Sequence, residues 1–248
     1  MRKSISVLAW LCGAAAMLVA GAAFAEGNAS AGEAIFKNGK ADKGVMACFT
    51  CHGDKAQGND DMGAPRLAGQ GMPYIVKQLK DFAGDKRTPA GAGAVMPTFA
   101  KGLSDEDMQN VAAYVNSITG AEFSDLKKLG AGGQKVGEPY LGQVLVKFGV
   151  KDKVSACQSC HGYNGRGAAP VFPMIGQQKY VYLVNQLKNW RASADDVKAG
   201  VVARTNDPAA MMRAVAKNLT DDDINNAAAF LASAPETTQG NHRVPTQD

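Results

Sequence analysis

The chain has 248 residues, 46% hydrophobic and 20% charged, with a formal net charge of +4 and only 3 histidines. That length and apolar content suit two modest globular domains better than one large core. The near-neutral balance argues against a strongly basic nucleic-acid binder, and the lack of long like-charge runs argues against extended disordered tails.

At the amino terminus, Arg2 and Lys3 precede an apolar run from Ile5 to Ala20 and the small-x-small site Ala23-Phe24-Ala25, the pattern of a cleaved signal peptide over residues 1–25. The mature chain is then expected to begin near Glu26 with a charge of about +2, since Arg2 and Lys3 leave with the leader. Retention as a membrane anchor is the alternative, because about 20 apolar residues can just span a bilayer. Cys12 follows Leu11 rather than a small residue, so a lipoprotein cysteine is not indicated.

The rest of the chain repeats itself. Gly32-Glu33-Ala34-Ile35-Phe36-Lys37 matches Gly142-Gln143-Val144-Leu145-Val146-Lys147, and Cys48-Phe49-Thr50-Cys51-His52-Gly53 matches Cys157-Gln158-Ser159-Cys160-His161-Gly162. Further on, Gly69-Gln70 is paired with Gly176-Gln177, the run Gln78 to Phe82 with Gln186 to Trp190, and the run Met96 to Ser104 with Met212 to Thr220. The reading is one domain over residues 26–129, a flexible glycine-rich linker over 130–137, a second domain over 138–236 and a polar tail over 237–248. Each copy reads as helical. Ile75, Leu79 and Phe82 share one helix face, as do Leu183, Leu187 and Trp190. Ser104 with Asp107, and Thr220 with Asp223, resemble capping boxes that open the last helix of each copy. No alternating, strand-like run is present, so the fold class is all-α.

The chemistry lies in the two C-x-x-C-H motifs. Their spacing lets Cys48 and Cys51, or Cys157 and Cys160, reach the two vinyl groups of one haem while His52 or His161 meets the iron. A redox disulfide and a zinc site also use C-x-x-C. Zinc, however, gives no reason for a histidine after each second cysteine, and a dithiol oxidoreductase calls for a βαβ pattern that is lacking. For the sixth ligand, the one remaining histidine, His242, lies in the polar tail, so methionine is the natural candidate. Met96 and Met212 hold equivalent positions in the repeat, with Met211 in reserve if the register slips by one. Met46, Met62, Met72, Met108 and Met174 read as apolar filling. Thioether ligation would raise the potential and fill the coordination sphere, leaving outer-sphere electron transfer rather than bond chemistry.

Through both attachment motifs, both Met-to-Leu-Ser/Thr segments and the repeat itself, the chain resembles the class I cytochromes c, and specifically the two-domain cytochrome c4 family, from about Gly32 to Leu231. The resemblance implies two tandem cytochrome c folds with two covalently bound haem c groups meeting near the domain interface. It also implies a proline carbonyl, at Pro65 and Pro170, that accepts a hydrogen bond from each proximal imidazole. The function implied is a periplasmic one-electron carrier between a quinol-oxidising cytochrome complex, or a dehydrogenase, and a terminal oxidase, with peripheral membrane association compatible. Two alternatives stand beside it: the cytochrome subunit of a periplasmic dehydrogenase such as a flavocytochrome sulfide dehydrogenase, and a two-haem enzyme. The halves also differ. Val146 stands where Phe36 does, with Phe148 expected to compensate, and the stretch between Trp190 and Met212 is longer than its counterpart, with Asp195-Asp196 and Arg204 to Pro208 reading as an inert surface insertion, the alternative being an added lid or docking surface over the second haem.

Overall fold

The computed structural model describes residues 27–120, 122–192 and 201–234. The predicted leader, the tail with His242 and the Asp195-Asp196 pair lie outside them. Helices α1 (Ala29–Asn38), α2 (Phe49–His52), α3 (Met72–Ala83), α4 (Met96–Lys101) and α5 (Asp105–Ser117) form the first half. After α6 (Leu126–Ala131), helices α7 (Pro139–Phe148), α8 (Gln158–His161), α9 (Tyr180–Arg191), α10 (Met211–Ala216) and α11 (Asp221–Ser233) repeat the first five. Among the described residues there is no strand, only isolated bridges such as Lys40 with Val45 and Val150 with Val154.

Each half has its own core because each terminal helix lays its apolar stripe on the first helix of its copy. Phe36, Ile75, Leu79, Val111 and Val115 are buried in the first core, and Val146, Leu183, Trp190, Ile224 and Phe230 in the second. The crossings of α1 with α5 and of α7 with α11 are set by glycine. A Cβ on Gly32 would stand 1.9 Å from the Asn110 carbonyl oxygen, and one on Gly142 1.8 Å from that of Asn226. Only a residue without a side chain lets the two backbones approach so closely. The same asparagines tie the chain in front of each helix, Asn110 Oδ1 accepting from Asn28 N at 2.7 Å and Asn226 Oδ1 from Glu138 N at 2.7 Å.

Both capping boxes form. Ser104 Oγ accepts from Asp107 N at 3.1 Å while Asp107 Oδ2 accepts from Ser104 N at 2.9 Å, and Thr220 with Asp223 repeats both bonds. Two expectations need correction. Phe148 does not compensate for Val146: it is 75% exposed, whereas Val146 itself is fully buried in the second core. The segment read as a flexible linker is tied down at its start, since Gly130 and Ala131 belong to α6, and Leu126, Leu129 and Val136 pack on the second core.

Candidate haem centres

Each C-x-x-C-H motif coils into a single helical turn, α2 or α8, which brings both cysteines and the histidine to one side. Gly53 (φ 80°) and Gly162 (φ 72°) then end the turn in a conformation that side chains disfavour. The chain doubles back so that Gly58 N and Gly167 N donate to the carbonyls of His52 and His161, each at 2.7 Å. Both imidazoles are buried. His52 Nδ1 lies 2.9 Å from the carbonyl oxygen of Pro65, and His161 Nδ1 lies 2.9 Å from that of Pro173. A carbonyl can only accept, so Nδ1 carries the proton and Nε2 keeps its lone pair for a metal. Burial lowers both histidine pKa values, only partly opposed by the proline carbonyls, which keeps the rings neutral as ligation requires.

Pro173, not the expected Pro170, is thus the second partner. The intervening loop is one residue shorter in the second half, so the repeat changes register. Leu67 N and Ala68 N donate to Ala56 O, whereas Ile175 N and Gly176 N donate to Gly165 O. Hence Pro65 pairs with Pro173, Gly69 with Gln177 and Gln70 with Gln178. Gly69 N and Gln177 N confirm it, donating to Val115 O and Leu231 O at 2.8 and 2.7 Å. Pro170 follows Ala169 in the turn between the bridged residues Ala168 and Phe172.

One continuous cavity of about 710 Å³ reaches both motifs, and Cys48, Cys51, His52, Cys157, Cys160 and His161 all line it. Met96 and Met212 line it too and pack against the first and second core respectively. Met211 also reaches the cavity but is 38% exposed and is not among the residues packed on the core. None of the four motif cysteines is in a disulfide. Among the described residues no three His, Cys, Asp or Glu side chains are grouped to hold a metal ion. Paired cysteines, an open imidazole nitrogen and a cavity-lining methionine in each half, around one large cavity, fit a covalently attached haem on either side.

The halves meet at this cavity through reciprocal contacts. Gln70 Nε2 donates to Met174 O and Gln70 Oε1 accepts from Met174 N, both at 2.9 Å. In mirror image, Gln178 Nε2 donates to Arg66 O at 3.0 Å and Gln178 Oε1 accepts from Arg66 N at 2.6 Å. Two buried guanidinium groups cross the junction in opposite directions. Arg87, stacked on Phe82 at 4.6 Å, donates to Tyr182 and Gln186 of the second half. Arg204, stacked on Trp190 at 4.1 Å, donates to Gln78 of the first half. Asn206 extends the set by donating to Gln78 and to Asp81. Burial, and then the like charge of Arg87, lowers the Arg204 pKa. Burial alone would raise the Tyr182 pKa, but Arg87 and Arg204 outweigh it and hold the phenol below its ordinary value. The stretch from Arg204 to Asn206, read from sequence as a surface insertion, is therefore part of the junction.

Comparison with known proteins agrees with this architecture. The cytochrome c family profile matches residues 29–119 and again 151–235. The chain is 31% identical over 230 residues to the thiosulfate dehydrogenase electron acceptor of Stutzerimonas stutzeri, covering 93% of this chain and 96% of that protein. It is 33% identical over 222 residues to cytochrome c4 of Azotobacter vinelandii, covering 86% and 92%. Among solved structures, the thiosulfate dehydrogenase TsdBA from Marichromatium purpuratum superposes with a TM-score of 0.69 at 30% identity, covering 83% of this chain, which spans 40% of that longer one. Two matched domains, each with its attachment motif, carry two covalent haem c groups, and the chain is a dihaem electron carrier that belongs to the cytochrome c4 family.

Proposed function

We propose that Cys48 and Cys51 hold the first haem and Cys157 and Cys160 the second, with His52 and Met96, and His161 and Met212, as the axial ligand pairs. Each haem supplies a one-electron iron couple. The protein's part is to keep the Nε2 lone pairs open by fixing Nδ1–H on Pro65 and Pro173, to present a thioether from α4 and α10, and to exclude water from the shared cavity. The observation that carries this reading is that both motifs and both methionines line one cavity across the junction. With an imidazole from His52 or His161 and a thioether from Met96 or Met212 as ligands, each iron would have no free site for oxygen or peroxide, and the chain would serve electron transfer without bond chemistry of its own.

We further propose that the leader at residues 1–25 exports the chain to the periplasm, where it takes electrons from a dehydrogenase or a quinol-oxidising complex and passes them to a terminal oxidase. The relative named as the electron acceptor of thiosulfate dehydrogenase, similar along 93% of this chain, favours a dehydrogenase as donor. Among the described residues no helix is long and apolar enough to cross a membrane.

The ligand assignment is tested by titrating the weak sulfur-to-iron absorption band of the oxidised protein. Met96→Ala and Met212→Ala should each remove about half of it, two equal centres contributing. Loss of half the band in Met211→Ala with Met212→Ala unaffected would move the second ligand by one residue. The donor is tested by stopped-flow reduction with purified thiosulfate dehydrogenase. Reduction that is slow at low and at high salt alike would remove that partner.

A further inference from the structure

We propose that Gln70 and Gln178 are positioning residues that tie each proximal imidazole to the opposite domain. The proposal rests on reading His52 and His161 as iron ligands. The Pro65 carbonyl that accepts from His52 Nδ1 belongs to the same peptide unit as Arg66 N, and Arg66 N donates to Gln178 Oε1 of the other half at 2.6 Å. The Pro173 carbonyl that accepts from His161 Nδ1 shares its peptide unit with Met174 N, which donates to Gln70 Oε1 at 2.9 Å. Each glutamine is buried, at 4% and 5% exposure, and its carbonyl is held by the next amide of its own chain, Gly71 N at 3.2 Å and Lys179 N at 2.9 Å. Neither amide can therefore turn away without breaking several bonds.

A peptide whose N–H donates becomes a better acceptor at its carbonyl, because hydrogen bonds in a chain polarise one another. The glutamine of one domain thus strengthens the Nδ1–H bond of the histidine in the other. A stronger bond at Nδ1 makes the imidazole more basic toward the iron and favours the oxidised state. Each haem is tuned by a residue of the half that does not hold it, and the tuning exists only while the domains are docked.

The test uses the haem-loaded protein and the variants Gln178→Met and Gln70→Met, which keep length and apolar bulk but remove both bonds. In the reduced, diamagnetic state, Gln178→Met should move the His52 Nδ1–H proton resonance upfield and leave that of His161 in place, and Gln70→Met should do the reverse. The oxidised-to-reduced ratio of the affected haem at fixed poise should fall about two- to threefold, a rise of about 18 to 28 mV for one electron. A shift confined to the haem of the substituted domain, or no shift in either, overturns the proposal, since a packing role alone gives no crossed pattern. In the wild type, amide exchange at Arg66 and Met174 should be slow, and exchange as fast as in exposed loops overturns it without any variant. A low-spin spectrum with two haems per chain separates failure of this relay from failure of the ligand assignment.

Discussion

Gly32→Ala and Gly142→Ala probe the contact on which each domain is built. An added methyl at Gly32 would sit 1.9 Å from the Asn110 oxygen, against 3.4 Å for ordinary contact, so α1 and α5 must part by roughly 1.5 Å. Over such a gap the side chains around Phe36 and Val111 lose more than half of their dispersion energy across the seam, which puts the cost near the upper end for an overpacked core, about 3 kcal/mol. Alanine regains about 1 kcal/mol of helix propensity over glycine. The net loss of about 2 kcal/mol corresponds to a fall in Tm of about 8–16 °C for a domain of this size. Gly142→Ala serves as an internal replicate, because its methyl would meet Asn226 O at 1.8 Å and Phe230 Cβ at 2.9 Å. Thermal unfolding of the haem-loaded protein, followed by far-ultraviolet circular dichroism, measures both. Stability within about 0.5 kcal/mol of wild type in both variants would refute the argument that backbone approach fixes the crossing.

Ser104→Ala and Thr220→Ala should each cost about 1 kcal/mol in denaturant titrations, since each removes the side chain that satisfies an orphan N–H at the start of α5 or α11. For Asp107, burial pushes the pKa up but bonds from Lys40 and Ser104 outweigh it, and the group ends below its ordinary value. Its contribution is therefore present above the unfolded pKa of about 3.9 and is lost as the pH falls through the lower folded value. Asp107→Asn should flatten the acid limb of the stability curve below about pH 4, and an unchanged limb would show that the bonds from Lys40 and Ser104 do not hold the carboxyl below its ordinary value. A double-mutant cycle of Arg204→Met with Gln78→Met should return a coupling of about 1 kcal/mol or more, while additive effects would show the crossed bond to be inert.

Much of this fold could be read from spacing. The faces of α3 and α9, the capping boxes of α5 and α11 and the two motifs all depend on residues within one or two turns of each other, where sequence pattern and geometry coincide. The proposal of Met212 rather than Met211 as ligand uses the same kind of signal, because the stretch from Ala216 to Thr220 keeps the register of Ala100 to Ser104. Reading failed where the register changes. The proline carbonyl lies 13 residues after His52 but 12 after His161, which sets Pro65 opposite Pro173; pairing Gly69 with Gly176 supposes a gap of two residues and hides the match of Gln70 with Gln178, and Pro170 shares with Pro65 only its residue type. The arginine junction was not legible because its bonds join residues about a hundred positions apart, such as Arg87 and Gln186. Phe148 was misjudged for a simpler reason: two positions along a helix is about 200°, which turns a side chain to the opposite face.

The crossed glutamines and arginines also bear on how such a chain arises. Gln70 grips Met174 as Gln178 grips Arg66, and Arg87 reaches α9 as Arg204 reaches α3. In each case residue i touches j while the counterpart of i touches the counterpart of j, which is the signature of an isologous, two-fold interface. Two identical single-haem proteins joined as a symmetric pair would present this pattern, and fusing their genes would preserve it while freeing each copy to drift. Arg66 opposite Met174, and Gly69 opposite Gln177, are where the drift is visible.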